Sequence, residues 1–258
     1  MALLEVKNCS IAFGGLKALS GLDFTLQPQE LMGIIGPNGA GKTTFFNLLT
    51  GVYDPTEGEI YFEGQSVIPL QPYQINRLGV ARTFQNIRLF PELSVLDNVR
   101  VAFHHRIAYS LWDSVLDRPR FAEEEEQIRL EALRLLAGFQ LDKLKDEKAM
   151  NLSYGDQRRL EMVRALATRP KLLLLDEPAA GMNASEKRDL IQLIRRLHGE
   201  LKLAVLLIEH DMSVVMKLCP RILVLDYGIP IAEGPPEEIR RDPKVIEAYL
   251  GERPQRDL

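Results

Sequence analysis

Residues 36–43 read GPNGAGKT, a glycine-rich turn ending in Lys-Thr, set between the apolar run Leu31–Ile35 and an amphipathic stretch over 44–49. Gly36, Gly39 and Gly41 have no Cβ, so the backbone can turn sharply and converge its N–H groups on a polyphosphate at a helix N-terminus. Lys42 would then reach the outer phosphates. Thr43 would hold Mg²⁺, a hard ion that keeps several waters and takes oxygen ligands. A glycine turn that merely caps a helix is the plainer reading. The match at every fixed position, with strand before and helix after, favours the cradle.

Further carboxylates follow. The apolar run 172–175 ends in Asp176-Glu177-Pro178, two acids at the C-terminal tip of a buried strand. In an open α/β sheet that tip is where ligands bind. Asp176 is expected to orient the metal's shell, and Glu177, turned elsewhere by the alternation of side chains along a strand, to activate water. A strand-end acidic turn would be the commoner explanation in isolation. A further apolar run, 203–208, ends in Glu209-His210-Asp211, which puts His210 at the corresponding edge. A lone strand-end His is usually a surface or cap residue, but a third coincidence at the same sheet edge favours a γ-phosphate contact. Gln85 follows the β-like run 80–84, and its amide suits a metal or an attacking water, although a solvent-facing Gln would look the same. Around Ser153 and Gly155, LSYGDQ opens a long helical pattern whose first amides could meet an anion. On spacing alone, a well-capped helix accounts for that segment.

The elements that must position these groups follow from pattern. Short β-type segments at 4–7, 22–26, 31–35 and 59–62 read as a mixed sheet beside the first strand–turn–helix unit. From 95 to 150 the chain turns mainly helical, with Ile128, Leu130, Leu133, Leu135 and Leu136 spaced for a buried face and Gly138 near its end. The runs 171–175 and 203–208 suit buried parallel strands, separated by a helix over 184–198. Asn183 with Glu186, and Ser153 with Asp156, carry N-capping spacing. Residues 104–120 show no clear period.

Composition narrows the classes. A chain of 258 residues, 46% hydrophobic, can bury a sizeable core. The net charge of −4 comes without a basic patch, which weighs against a nucleic-acid partner. The acidic run 123–126 reads as a solvated helix start. Apolar runs fall well short of the roughly 18 residues a membrane span needs, and Glu5 and Lys7 interrupt any signal-peptide pattern, so a cytosolic protein is expected, or one held at a membrane by something else. Cys9 and Cys219 have neither CxxC spacing nor clustered histidines.

GPNGAGKT, the Gln85 loop, LSYGDQ, LLLLDEP and His210 occur in the order seen in ATP-binding-cassette ATPases, and the chain resembles that superfamily over essentially its whole length. FGGLKAL at Phe13, RTFQNIRLF at Arg82, EPAAGMN at Glu177 and IEHDM at Ile208 look like the nucleotide-binding subunit of a branched-chain amino-acid importer. The resemblance implies one α/β P-loop NTPase domain over 1–258. A RecA-like core and an N-terminal antiparallel β-subdomain would span 1–94 and 160–258, with an inserted helical subdomain over about 95–159. It implies ATP and Mg²⁺ as cofactors. Phe13 would stack on adenine, and Gly36, Asn38, Gly39, Ala40, Gly41, Lys42, Thr43 and Thr44 would hold the phosphates. Thr43, Gln85 and Asp176 would attend Mg²⁺, Glu177 would be the general base and His210 the γ-phosphate switch. Ser153 and Gly155 would close over nucleotide held by a second cassette, identical or paralogous. Permease subunits and, indirectly, a solute-binding protein would be partners, with the chain peripheral on the inner membrane face. Tyr154 and Asp156 depart from the common LSGGQ, and Asn183 stands where many members have Asp. Rival readings are a lipopolysaccharide-export ATPase, a cassette acting on nucleic acid or ribosomes, and a nucleotide-regulated module with little turnover.

Overall fold

The computed structural model describes residues 1–103 and 119–250. The chain divides into two compact units, one made of 1–82 with 171 onward, the other of 83–170. The first begins with β1 (Leu4–Phe13), β2 (Leu16–Leu26), β3 (Leu31–Ile35), α1 (Lys42–Leu49), β4 (Glu57–Phe62), β5 (Gln65–Ser66), α2 (Pro72–Leu78) and β6 (Val80–Arg82). The second unit carries α3 (Val95–Ala102), α4 (Pro119–Gly138) and α5 (Tyr154–Ala167). The chain then returns to the first unit through β7 (Leu172–Asp176), α6 (Ala184–Leu201), β8 (Ala204–Ile208), α7 (Met212–Leu218), β9 (Arg221–Asp226), β10 (Ile229–Gly234), α8 (Pro236–Ile239) and α9 (Pro243–Leu250).

Two sheets form the first unit. One is antiparallel in the order β2-β1-β4-β5, and the other has six strands in the order β10-β9-β3-β8-β7-β6. Leu31–Ile35 belongs to the second, so the single mixed sheet expected beside the first helix is instead two sheets. β1 and β2 also run longer than the segments 4–7 and 22–26. Register shifts between Val6 and Cys9 and again before Ala12 break the two-residue alternation, and a bulged strand stops reading as a strand. In the larger sheet β6, β7, β8, β3 and β9 pair in parallel, with β10 antiparallel at the edge. β3, β7 and β8 are buried at every residue, which is why they read as unbroken apolar runs. Leu172 and Leu174 face a core shared with Phe45 and Phe46 of α1, and Gly33 approaches Val215 and Cys219 of α7 on the opposite face. Cys9 and Cys219 are free and buried, and burial pushes their thiols up to about 11 and about 12.

The second unit starts at Thr83 and ends at Pro170, wider on both sides than 95–159. Its boundary follows from α5: Arg158 donates to the Phe84 carbonyl at 2.7 Å and to that of Gln85, while Glu161 accepts from the Phe84 and Arg88 amides, each at 3.3 Å. Buried Asn98 closes the next loop by exchanging hydrogen bonds with both main-chain groups of Phe90 at 2.9 Å. On α4, Ala132 and Leu136 are buried and Ile128, Leu133 and Leu135 half-buried. Leu130, expected on the buried face, is exposed: it lies two residues from both Ile128 and Ala132, about 200° around the helix. The unpatterned stretch 104–118 lies outside the described residues, and 119–120 open α4.

Candidate functional site

Parallel pairing sends the C-terminal ends of β3, β7 and β8 to one edge of the sheet, and the residues that follow each strand build the site there. After β3 the turn depends on glycine at two places. At Gly36 (φ 152°) a Cβ would lie 2.1 Å from the Leu225 carbonyl oxygen, and at Gly41 (φ 97°) 2.6 Å from that of Ala18. Gly39 (φ 82°) differs, because its Cβ direction meets nothing within 4 Å. The turn is therefore clamped at both ends and open in the middle. α1 starts with Gly41 as its N-cap, so no side chain caps its first amides and no acid lies in the first turn. Those N–H groups have no partner within the helix and carry the positive end of its dipole, which suits an anion.

Lys42 is buried, and its Nζ donates to the carbonyls of Gly36 at 2.7 Å and Pro37 at 2.8 Å. Burial pushes its pKa down, while the charges of Glu177 and Asp176 push it back up. Both carboxylates thus act on the ammonium of the turn. Its carbonyl partners are neutral acceptors, which phosphate oxygens would outbid through charge-assisted bonds. Asn38 and Thr43 are exposed and Thr44 half-buried, whereas Ala40 is buried and its carbonyl accepts from the Gly228 amide at 3.1 Å. Phe13, at the end of β1, is exposed and meets Tyr53 edge-on, ring centroids 5.1 Å apart.

Asp176 closes β7 and is buried against Arg82, whose Nη2 donates to Oδ2 at 2.7 Å. Glu177 lies beyond the strand in the left-handed region (φ 48°), its amide bonded to the Ile208 carbonyl at 2.9 Å. That conformation is costly for a residue with a side chain. It corrects the expectation that simple strand alternation aims Glu177: a strained turn does so. His210, largely exposed, has Nδ1 3.5 Å from Glu177 Oε2. Between the strand and this histidine, Glu209 is fully buried and accepts from the amides of Ala179 at 2.7 Å, His210 at 3.2 Å and Asp211 at 3.4 Å. Burial raises its pKa and these amides lower it. One carboxylate thereby joins the loops after β7 and β8.

Among the described residues no three His, Cys, Asp or Glu cluster as a metal cage. Thr43 and Asp176 offer oxygen donors only. Such a sparse hard set fits a cation that keeps most of its water, as Mg²⁺ does.

Gln85, Ser153 and Gly155 belong to the second unit. Gln85 is exposed, with its carbonyl held by Arg158. Ser153 caps α5, accepting from the Asp156 amide at 3.2 Å and donating its hydroxyl to Asp156 Oδ2 at 2.7 Å. Tyr154 accepts at its hydroxyl from Arg158 Nη2 at 2.7 Å and Nε at 3.1 Å. Both departures from LSGGQ are thus tied into α5 itself. A Cβ on Gly155 would meet nothing within 4 Å, so packing within the chain does not require glycine there. In the first unit, Asn183 caps α6 in a capping box, its Oδ1 accepting from Ser185 at 2.8 Å and Glu186 at 3.1 Å while Glu186 Oε2 accepts from the Asn183 amide at 2.8 Å.

Arg82, Asn47 and Glu209 were not singled out from sequence. Asn47 accepts from Arg82 Nη1 at 2.8 Å, Arg82 reaches Asp176 and Glu209 reaches the Ala179 amide, contacts 35, 94 and 30 residues apart along the chain, and only a polar residue at the tip of an apolar strand, Arg82 after Val80-Ala81 and Glu209 after Ile208, hints at them.

Comparison with known proteins accords with this geometry. Residues 19–180 match the ABC transporter family, and residues 230–254 match the branched-chain amino acid ATP-binding cassette transporter family. The chain is 46% identical over 250 residues to the high-affinity branched-chain amino acid transport ATP-binding protein LivG of Escherichia coli K12, covering 97% of this chain and 98% of that one. It is 44% identical to BraF of Pseudomonas aeruginosa, of the same description, with the same coverage. The crystal structure of the ADP conformation of MJ1267, an ATP-binding cassette of an ABC transporter, superposes with a TM-score of 0.84 at 33% identity, covering 98% of this chain and all of that one. A dimeric post-hydrolysis state of the cassette MJ0796 bound to ADP and Pi superposes at 0.76 with 26% identity, covering 90% of this chain and 98% of that one. With its uncapped glycine turn, its strand-end acids and these relatives, the chain belongs to the ATP-binding cassettes of the ABC transporter family.

Proposed function

We propose that this chain is the ATP-hydrolysing subunit of an importer for branched-chain amino acids, driving permease subunits from the inner face of the membrane together with a second cassette, identical or paralogous. The observation that carries the reading is the shared edge where the clamped turn, Lys42, Asp176, Glu177 and His210 converge in a chain that aligns over nearly its whole length with LivG. Phe13 takes the adenine ring. Gly36, Asn38, Gly39, Ala40 and Gly41 supply main-chain donors, and Lys42 exchanges its two carbonyls for phosphate oxygens. Thr44 adds a phosphate contact. Thr43, Asp176 and Gln85 are the residues that would hold Mg²⁺, and the ion would supply charge neutralisation at the phosphates. Glu177 accepts a proton from the attacking water, and His210 senses the γ-phosphate beside it. Ser153 and Gly155 serve nucleotide held by the other cassette. A solute-binding protein completes the importer. Among the described residues no helix is long and apolar enough to cross a membrane, which accords with a subunit attached through a permease.

Replacing Glu177 by Gln keeps the size and removes the base, so turnover should fall about 10²–10⁴-fold while ATP still binds. Near wild-type hydrolysis by purified E177Q overturns the assignment. Solute choice is tested separately, by reconstituting the chain with its permease and asking whether leucine, isoleucine or valine stimulates hydrolysis. A transporter indifferent to all three refutes that part.

A further inference from the structure

Arg82 closes the short edge strand β6, opposite Leu174 of β7 in parallel register. Side chains two apart along a strand share a face, so Arg82, Leu174 and Asp176 all look toward α1, the helix that starts with Lys42 and Thr43. The guanidinium is a planar fork with fixed donor directions, and here it bridges the two elements. Nη2 donates to Asp176 Oδ2 at 2.7 Å, while Nη1 donates to Asn47 Oδ1 of α1 at 2.8 Å and to Oγ1 of its C-cap Thr50 at 3.3 Å. Phe46 lies under the fork, 5.4 Å from its central carbon to the ring centroid. Arg82 and Asp176 side chains are only 5% and 3% exposed.

We propose that Arg82 is a positioning residue for the metal-orienting carboxylate. By holding one oxygen of Asp176 together with Asn47 and Thr50, it sets the direction of the other carboxylate oxygen relative to Thr43, so the two metal donors are registered before any cation arrives. This rests on the Mg-nucleotide reading above. A carboxylate has two acceptor oxygens, and fixing Oδ2 fixes the plane of the group. The Arg82 guanidinium lies over the Phe46 ring, and its charge meets Asp176 in a space where an unpaired carboxylate would be costly. Lysine could supply the charge but not the fork, so it could reach Asp176 or α1 but not both in one geometry.

The test uses the full chain with Arg82→Lys, Arg82→Gln and Asn47→Ala. Nucleotide affinity is measured by calorimetry in EDTA, and Mn²⁺ affinity of the nucleotide complex by electron paramagnetic resonance. Partners that orient a metal ligand are typically worth 10–100-fold in metal affinity. R82K and R82Q should therefore weaken Mn²⁺ about tenfold or more while metal-free nucleotide affinity changes less than about twofold. N47A, which keeps the Asp176 pair and loosens only the grip on α1, should give a smaller loss in the same direction and keeps the test open if the Arg82 variants do not fold. Unchanged Mn²⁺ affinity in well-folded variants, with only a lower melting temperature, overturns the proposal, and so does an equal loss of metal-free nucleotide affinity. A wild-type chain that binds no nucleotide would instead refute the underlying reading.

Discussion

α1 and α5 both open out of a loop, and they satisfy their first amides by contrasting means. At α1 the N-cap is Gly41, which brings no side chain, and the nearest charge is Lys42, folded back onto the carbonyls of Gly36 and Pro37. At α5 the cap is Ser153, engaged on both sides by Asp156, with Tyr154 and Arg158 bonded to each other one turn on. The first start leaves its amides for an anion bound by this chain, whereas the second satisfies its cap within the chain and is proposed to meet nucleotide only when that is held by a second cassette. A helix N-terminus thus binds according to what caps it and which chain brings the ligand. What distinguishes α1 is that glycine stands at its N-cap where Ser, Thr, Asp or Asn would have brought a capping oxygen.

The sharpest way to break this contrast is to put a side chain where the cradle has none. Gly41→Ala places a methyl group 2.6 Å from the Ala18 carbonyl at a backbone angle L-residues avoid, so the turn must rearrange. Nucleotide binding should disappear and the melting temperature should drop. Gly39→Ala is the control that separates fold from ligand. Its methyl enters open space, so stability should fall by only about 1 kcal/mol for the strained φ, while nucleotide affinity falls because the methyl occupies the cradle. If calorimetry finds G39A binding like the wild type, the open side of the turn is not where phosphate sits.

Much of this contrast was legible beforehand. Glycines at 36, 39 and 41, and the capping pairs Ser153–Asp156 and Asn183–Glu186, are local patterns whose partners lie within a few residues. The buried strands β7 and β8 were legible because burial on both faces leaves an unbroken apolar run. Arg82 and Glu209 were not, since their partners sit 94 and 30 residues away at the extreme and only tertiary packing joins them. The full lengths of β1 and β2 were hidden for a different reason: bulges shift the alternation on which strand reading depends. The aim of Glu177 was misjudged because a positive φ has no signature in a non-glycine residue.

A smaller effect tests the closed side of the comparison. Ser153→Ala removes the cap acceptor and leaves Asp156 without its hydroxyl donor, which should cost about 0.5–2 kcal/mol of stability. Urea unfolding of the wild type and variant measures it. Nucleotide affinity of the separate chain should not change, because the Ser153 cap serves α5. A fall in that affinity comparable to the stability loss would mean that the two helix starts are not independent, and the contrast would have to be abandoned.

The smallest effect concerns a third start, at α7, where the cap is itself charged. Asp211 accepts from the Ser213 amide at 2.8 Å and takes Lys187 Nζ at 2.5 Å. The Lys187 bond first, and Ser213 after it, hold the Asp211 carboxyl down at about 2, against an ordinary 3.8. A folded-state value below the unfolded one means that the cap's contribution is complete above about pH 4 and is lost as pH falls toward about 2. The carboxyl is partly exposed, so water screens the pair and the gain is modest. Carbon-detected NMR titration should place the Asp211 midpoint near about 2, and Lys187→Met should return it toward the ordinary range near about 4. A wild-type midpoint already near about 4 would show that the ion pair does not form in solution. The residue after His210 would then start its helix on the Ser213 bond alone, closer to the neutral arrangement at Ser153 than to a start fixed by charge.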